Sequence, residues 1–187
     1  MYQSVIQNRS VVPEELLWRL NRAAQRYWHK QLRADNRVLD YLRGRDWPEP
    51  VDLAERYGLG YAPGRGDEAD TFVRRVQQEG FPDVDDPELL RAALLESGLA
   101  REGRYGDDLI DFFYGRLTIP IVVSGSLEDV WADNTRTAAF GGRIVPWQEG
   151  DGDDGPPKYL NSAETPIFEK RATLYGFPWA AGAIEQT

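Results

Sequence analysis

The sequence predicts an α+β fold, with a mostly helical first half followed by a small mixed or antiparallel sheet. Between residues 13 and 98, apolar residues recur at spacings of three and four, and several segments open on proline or a capping residue and close on glycine, which is typical of helices. Between residues 107 and 187, short β-branched runs bounded by serine and glycine indicate strands. The 187 residues, 41% of them hydrophobic, suffice to bury a core, so we expect a single domain over 1–187.

The first predicted helix begins at Pro13. Proline suits the first turn of a helix, and Glu14 and Glu15 lie near the positive end of the helix dipole. Apolar residues then recur along one face of this helix: Leu17, Leu20, Ala24 and Tyr27 or Trp28. A basic stripe lies on another face: Arg19, Arg22, Arg26 and Lys30. The basic stripe fits either an ordinary solvated helix face or a surface that contacts phosphates.

The remaining elements follow from start and stop signals. Four more helices are predicted, each ending at or just before a glycine: 36–43, 51–57, 67–79 and 86–98. The last of these opens on Asp86-Pro87, a capping residue followed by a proline at the first helical position. Strands are predicted at 117–123, 130–132 and 137–145. The stretch 149–157 is rich in glycine, aspartate and proline, and we interpret it as a solvated loop.

The composition excludes several classes of site. The chain carries 31 acidic and 22 basic residues, and this net charge of −9 argues against general nucleic-acid binding, although basic residues cluster between 17 and 45. The absence of cysteine excludes disulfides, thiolate nucleophiles and cysteine-held metals, and the single histidine, His29, cannot form the usual imidazole ligand set. No run is long and apolar enough for a membrane span and residues 1–13 lack signal-peptide features, so we expect a cytoplasmic protein with no membrane partner.

Carboxylates are the remaining candidates for metal-dependent chemistry. Asp151 and Asp153 fit two positions of a calcium-binding loop, but the rest of that pattern is missing, which favours a plain loop. Asp107, Asp108 and Asp111 could pair as acid and base or hold two cations in a hydrolase. No histidine, lysine or serine partner lies at a recognisable spacing from them. An independent hydrolase is therefore an alternative that the sequence supports only through this cluster.

Two short motifs in the second half combine glycines, cations and an aromatic residue. In Phe-Gly-Gly-Arg (140–143), the glycines allow a close backbone approach and Arg143 can bind a phosphate, but a glycine pair in a strand also fits a bulge or a tight crossing. In Lys-Tyr-Leu-Asn-Ser (158–162), Lys158 can contact a phosphate, Tyr159 can stack, and Asn161 can bond a base or a sugar. The alternative for this second motif is an ordinary turn into a strand.

These motifs belong to an ordered series of segments: 39–45, 60–63, 95–99, 111–121, 140–143, 157–165 and 174–176. The series resembles the bacterial DnaG-type DNA primase, specifically the N-terminal subdomain of its RNA-polymerase core. The resemblance covers almost the whole chain from the first helix onward. Its most specific parts are Phe-Gly-Gly-Arg and Lys-Tyr-Leu-Asn-Ser in this order.

The resemblance implies an α/β subdomain that packs beside a Toprim domain and supplies a basic groove for template and primer. By position, the nucleic-acid or nucleotide contacts of the family correspond to Arg45, Arg116, Arg143, Lys158, Tyr159, Asn161 and Lys170. The catalytic Mg²⁺ or Mn²⁺ ions are expected on acids of the Toprim part, with no metal and no catalytic residue in this chain. The expected partners are single-stranded DNA template, RNA primer, a Toprim domain or subunit, a replicative helicase and a single-strand-binding protein.

Some positions depart from the family pattern. Phe-Phe-Tyr at 112–114 stands where the family usually has Arg-Phe-Arg, so the groove should be less basic. Glu-Lys-Arg at 169–171 stands where His-Lys-Gly is usual, which adds an acid, and Ala163 replaces a proline. The hairpin at 124–136 and the acidic loop are longer than is usual in the family.

The resemblance places the zinc-binding domain of the family before this segment and the Toprim domain after residue 187. We therefore expect both to be absent, and we do not expect the chain to polymerise nucleotides alone. It would be a segment of a longer primase or, as Met1 favours, one half of a natural split primase of the kind found in some phages. The expected function is a part of a DNA primase that makes short RNA primers on single-stranded DNA for replication. The alternative is a non-catalytic single-stranded nucleic-acid-binding accessory protein of a phage or mobile element.

Overall fold

Helices occupy the first half of the chain and most strands the second, as the sequence predicts. The structure, a computed structural model, describes residues 11–67, 70–103, 108–124, 129–150 and 155–173. The helices among these residues are α1 (Glu14–Ala34), α2 (Asn36–Arg43), α3 (Pro50–Tyr57), α4 (Phe72–Glu79) and α5 (Pro87–Glu96), and none of them is both long and apolar enough to cross a membrane. The strands are β1 (Gly60–Ala62), β2 (Ala100–Glu102), β3 (Leu109–Asp111), β4 (Arg116–Ser124), β5 (Arg136–Ile144) and β6 (Tyr159–Asn161), and a short 3₁₀ helix (Pro146–Gln148) follows β5.

The predicted bounds of α2, α3 and α5 are confirmed closely because their end signals act locally. The side chains of Asp35 and Asp86 accept hydrogen bonds from backbone N–H groups in the first turns of α2 and α5. Gly58 ends α3 in the left-handed conformation, with φ of 66°. α4 begins at Phe72 rather than at residue 67, because Asp111 at the end of β3 accepts a hydrogen bond from a backbone N–H of its first turn at 3.0 Å. This start depends on a residue far along the chain.

The larger sheet is antiparallel, with the strand order β1-β4-β5-β6, and β2 pairs with β3 in a separate antiparallel ribbon. This arrangement confirms the α+β class and the antiparallel form of the predicted sheet. β1, β2 and β3 were not predicted, because three residues are too few to show an alternating pattern. Tyr61, Leu117, Arg143 and Tyr159 lie side by side across the larger sheet, so their side chains share one face.

α1 crosses the opposite face of the sheet, with Trp28 at the centre of the contact. A Cβ on Gly60 would lie 2.6 Å from Cβ of Trp28, which shows how closely helix and sheet approach. The buried indole meets the rings of Phe72, Phe113 and Phe140 edge-on, at centroid distances of 6.1, 5.8 and 5.0 Å. The apolar stripe predicted for this helix is confirmed, since its members are fully buried: Leu17, Leu20, Ala24 and Trp28.

On the face that carries the Tyr61 row, the apolar side chains of α2 pack against the side of the sheet formed by β1 and β4. Tyr61, Leu117 and Val145 are buried there in a cluster with α2. The same row continues onto β5 and β6, where Arg143 is partly exposed and Tyr159 is 62% exposed. The described helices therefore leave the part of this face formed by β5 and β6 open to solvent; we call it the open edge.

The predicted strand at 130–132 is wrong, because these residues form a turn. The backbone N–H groups of Trp131 and Ala132 bond to Asp129, at 2.8 Å to the side chain and 3.2 Å to the carbonyl oxygen. Arg22 of α1 donates to the carbonyl oxygens of Val130 at 2.8 Å and Ala132 at 3.0 Å. Backbone groups paired in this way are not available for a sheet. Val130 is buried, so the apolar residues at 130–132 indicate a buried turn and not a strand.

Candidate functional site

The open edge carries an arginine held between two tyrosines. Arg143 of β5 lies opposite Tyr159 of β6, with its guanidinium carbon 5.0 Å from the centre of the Tyr159 ring and an Nη group donating to the Tyr159 hydroxyl. Its Nε donates to the hydroxyl of Tyr41, on α2, at 3.0 Å. This hydrogen bond with Tyr41 raises the pKa of Arg143 above its ordinary value. Because a guanidinium has five N–H donors, the fixed and charged side chain can still bind a phosphate.

Arg45 extends this surface beyond the end of α2. It is exposed, and its guanidinium carbon lies 5.8 Å from the centre of the Tyr41 ring. Tyr41 therefore contacts Arg45 through its ring and Arg143 through its hydroxyl. Two of the predicted site residues, from distant parts of the chain, are brought together by one tyrosine.

Asn161 and Lys158 flank Tyr159 on β6. Asn161 lies two residues after Tyr159 and so points to the same face, and its Oδ1 lies 3.3 Å from where a Cβ on Gly141 would be. Glycine at this position makes room for the amide. Lys158 immediately precedes the strand, and its side chain is exposed. Together with Arg45 and Arg143, Tyr159 and Asn161 place two cations, an aromatic ring and an amide at the open edge, and Lys158 adds an exposed cation beside it.

The second half of the Lys-Tyr-Leu-Asn-Ser motif holds β6 in place. Ser162 is buried, its Oγ accepts a hydrogen bond from the backbone N–H of Phe140 at 3.0 Å, and its own N–H donates to the carbonyl oxygen of Phe140 at 2.9 Å. Leu160, on the face opposite Tyr159, packs against the main core. The motif therefore forms a strand that carries candidate binding residues on one face and structural residues on the other.

Arg116 does not join the group at the open edge, since its side chain is buried on the face that packs against α1. It is only 4% exposed, burial lowers its pKa, and an Nη atom lies 3.4 Å from the carbonyl oxygen of Lys158, to which it donates. Gly142 lies over it, and a Cβ there would be 2.7 Å from Cδ1 of Phe113 and 3.1 Å from Cδ of Arg116. The close approach of Phe113 and Arg116 therefore explains why residue 142 is a glycine. Arg116 supports the backbone at Lys158.

Lys170 lies apart from the open edge, in the turn that follows Phe168. Phe168 is buried in a small cluster with residues of β4 and β5, and the N–H of Ala172 closes the turn onto the carbonyl oxygen of Glu169 at 3.2 Å. Lys170 itself is exposed, and within the described ranges no hydrogen bond or ion pair joins it to Arg143 or Tyr159. Its role stays a prediction.

Two aromatic residues of this surface were not predicted as site residues, Tyr41 and Trp147. Trp147 lies in the 3₁₀ helix after β5 and is 37% exposed. Its ring centre is 6.1 Å from that of Tyr41, and the guanidinium carbon of Arg37 lies 5.6 Å from it. The available signal was a tryptophan at the start of a strongly polar loop, where exposure of a large apolar ring is unusual.

Three members of the basic stripe of α1, namely Arg19, Arg22 and Arg26, contact protein groups. Arg22 donates to the turn at 129–135, and Arg19 donates to the carbonyl oxygen of Pro82 at 2.6 Å. Arg26 lies 3.5 Å from the carboxylate of Asp133, and both side chains are exposed. These contacts count against a phosphate-binding surface; Arg26 lies on a solvated face as the alternative expects, whereas Arg22 is half-buried against the turn.

Of the three acids considered as a catalytic cluster, Asp107, Asp108 and Asp111, the last caps a helix. Asp111 is buried, and burial raises its pKa to about 7, while its Oδ2 accepts the hydrogen bond from Val73 N–H that starts α4. Asp108 is exposed, and Asp107 lies outside the described residues, as do 151–154 of the predicted acidic loop. Within the described ranges, no three histidine, aspartate or glutamate side chains are grouped so as to hold a metal ion.

Comparison with known proteins shows which family this chain resembles in sequence and fold. The chain matches the family model described as DNA primase catalytic core, N-terminal domain, over residues 27–181. A DNA primase of Deinococcus radiodurans is 32% identical over 169 residues, covering 90% of this chain and 24% of that protein. The RNA polymerase domain of Mycobacterium tuberculosis primase DnaG aligns with a TM-score of 0.68 and 25% identity, covering 94% of this chain and 48% of that one. A DnaG primase catalytic domain bound to ssDNA aligns with a TM-score of 0.62 and 25% identity, covering 91% and 44%.

The chain thus spans about a quarter of the length of the curated relative and about half of the solved domains. The family match includes both Phe-Gly-Gly-Arg and Lys-Tyr-Leu-Asn-Ser, which form neighbouring strands of the same sheet. The order of the elements, helices first and an antiparallel sheet after them, agrees with the aligned primase domains. On sequence and on fold, the chain belongs to the family of DNA primase catalytic-core N-terminal domains.

Proposed function

We propose that this chain is the part of a DNA primase that holds the single-stranded DNA template and the growing RNA primer during primer synthesis for replication. The observation that carries this proposal is the pair of Arg143 and Tyr159 on the open edge. The pair combines a charge for phosphate with a ring for stacking, the two features that single-strand binding requires. The related catalytic domain bound to ssDNA supports the choice of ligand.

The residues of the open edge, and Lys158 beside it, have separate tasks in this proposal. Arg45, Arg143 and Lys158 offset the repulsion between phosphates as template and primer approach each other. Tyr159 stacks on a base, and Asn161 bonds a base or a sugar. Arg116 acts as a positioning residue through the backbone of Lys158, and Lys170 adds a phosphate contact on the turn after β6.

The catalytic step is assigned to a Toprim domain or subunit. Mg²⁺ or Mn²⁺ ions held by its acidic residues would neutralise the charge that develops as the nucleotide is transferred. The described residues of this chain include no comparable acidic group, so the proposal assigns no metal-dependent step to them. In this proposal the chain binds and orients the strands in the cytoplasm, with a replicative helicase and a single-strand-binding protein as further partners.

Fluorescence anisotropy of a labelled single-stranded DNA tests the binding function. We expect binding that weakens strongly between about 50 and about 200 mM salt and that resists competition by duplex DNA. Arg143→Gln and Lys158→Gln should each reduce the slope of log affinity against log salt by about 0.7, the value for one phosphate contact to a single strand. Arg101→Gln, at an exposed arginine of the separate β2–β3 ribbon, is the matched control and should leave the slope unchanged.

Absence of binding at low salt, or an unchanged slope in both variants, would contradict this function. Reconstitution with a Toprim protein and a divalent metal tests the catalytic context, and we expect more primer than the partner makes alone. Binding to single strands with no such gain would instead support the accessory-protein alternative, which the primase matches do not favour.

A further inference from the structure

We propose that Trp147 forms one end of a base-stacking platform on the open edge, so that a nucleobase of the single-stranded template stacks on its indole ring. The inference rests on the proposed function, because it concerns the same strand on the same surface. Trp147 lies outside the seven segments that resemble the primase family, between 140–143 and 157–165. The resemblance therefore assigns no role to this residue.

The aromatic rings and arginines of the open edge form one continuous row. Trp147 meets Tyr41 at a centroid distance of 6.1 Å with the ring planes almost perpendicular. The Tyr41 hydroxyl accepts a hydrogen bond from Arg143 at 3.0 Å, and the guanidinium of Arg143 lies 5.0 Å from the ring centre of Tyr159. A single strand that stacks on Tyr159 can follow this row, since alternating rings and cations are the usual platform for unpaired bases.

The ring of Trp147 is exposed on a backbone that is fixed. The preceding residues, Val145 and Pro146, anchor it, because Val145 is fully buried and the N–H of Gln148 donates back to its carbonyl oxygen at 2.9 Å. The side chain of Gln148 also bonds both backbone groups of Arg65, at 2.9 and 3.0 Å. A ring presented by a fixed turn loses little conformational entropy when a base stacks on it.

The charge beside Trp147 is already neutralised, which separates this end of the row from the Arg143 end. Arg37 lies over the indole ring at 5.6 Å, and its Nη2 is 2.9 Å from a carboxylate oxygen of both Asp35 and Asp67. The hydrogen bonds that Arg37 donates to these two carboxylates raise its pKa. One guanidinium facing two carboxylates adds no net attraction for a phosphate. Binding at Trp147 should therefore come from stacking, whereas binding at Arg143 comes from charge.

Trp147→Leu tests this inference in the anisotropy assay. We expect roughly 5- to 150-fold weaker binding of single-stranded DNA, the range for loss of one stacked base, with no change in the salt slope. Trp147→Phe should recover most of the affinity, because it restores a ring. Tyr57→Leu is the matched control, since Tyr57 is 38% exposed on α3 with Arg56 over its ring at 5.6 Å, and this variant should bind like the wild type.

Photo-crosslinking with a strand that contains 5-iodo-deoxyuridine provides a second measurement on the wild-type chain, and the expected adduct is on Trp147. If the wild type binds while Trp147→Leu and Tyr57→Leu bind equally well, the platform is refuted and the proposed function stands. A changed salt slope in Trp147→Leu would also overturn the inference. An adduct found only on other residues of the wild-type chain would overturn it too, and this second result does not depend on how well the variant folds. Absence of single-strand binding by the wild type would overturn the proposed function together with the platform.

Discussion

Replacing Asp111 with asparagine should remove a large pH dependence from the stability of this chain. The Asp111 side chain is 1% exposed, and burial raises its pKa to about 7. Its Oδ2 accepts a hydrogen bond from Val73 N–H at 3.0 Å, and this bond and polar groups of Thr71, Phe72 and Trp28 lower the pKa by less than burial raises it. The charged carboxylate therefore loses more from desolvation than the amide contacts return.

The sign and size of the effect follow from proton linkage. The folded state binds the proton of Asp111 more tightly than the unfolded state, so this contribution to stability is complete below about pH 4 and is lost as the pH rises through about 7. A pKa difference of about three units, at about 1.4 kcal/mol per unit, corresponds to about 4 kcal/mol at pH 8. That is a large share of the 5–15 kcal/mol that is typical of domain stability.

Urea unfolding at several values between about pH 5 and pH 8 measures this effect. Asp111→Asn keeps an acceptor for Val73 N–H but cannot ionise, so its stability relative to wild type should rise as the pH rises. The other titratable groups are the same in both proteins, so the difference between the two curves isolates Asp111. Asp108→Asn, at the exposed neighbour, should run parallel to wild type. If Asp111→Asn also runs parallel to wild type over this range, the reasoning is refuted.

Two further substitutions test the packing that positions β6. Gly142→Ala should lower the free energy of unfolding by about 1–3 kcal/mol, because its Cβ would lie 2.7 Å from Cδ1 of Phe113. Gly44→Ala, with its nearest neighbours at 3.5 Å, should be nearly neutral. Urea unfolding compares the two variants, and equal stabilities would contradict the close packing of Gly142 on Phe113. Ser162→Ala should cost about 1–3 kcal/mol by leaving the buried N–H of Phe140 without its hydroxyl acceptor. Hydrogen exchange at the Phe140 amide should then accelerate, and unchanged exchange would count against this contact.

Local signals predicted most of the secondary structure. The caps at Asp35 and Asp86 and the glycine at 58 act within a few residues, so the helix bounds could be inferred from sequence. The three-residue strands could not be inferred, because they are defined by their partners. The error at 130–132 has a related cause, since burial of Val130 produced an apolar signal without a strand.

The candidate site was predicted in part. Both Arg116 and Arg143 are arginines of neighbouring strands, and the sequence does not distinguish them. The register of β4 and β5 places Arg143 beside Leu117 and Tyr159 on one face and leaves Arg116 on the other, where it is buried. Because side chains alternate along a strand, a shift of one residue would exchange these roles.

The sequence by itself determined the α+β class, the exclusion of cysteine chemistry and the resemblance to the primase family, because these depend on residue identity, local spacing and motif order. Only the tertiary structure decided which residues share a surface. Tyr41 joins Arg45 to Arg143, Trp147 extends the row, and Asp111 caps a helix that starts nearly forty residues earlier in the chain. Such contacts join distant parts of the chain and exist only once α1 and α2 have packed against opposite faces of the sheet.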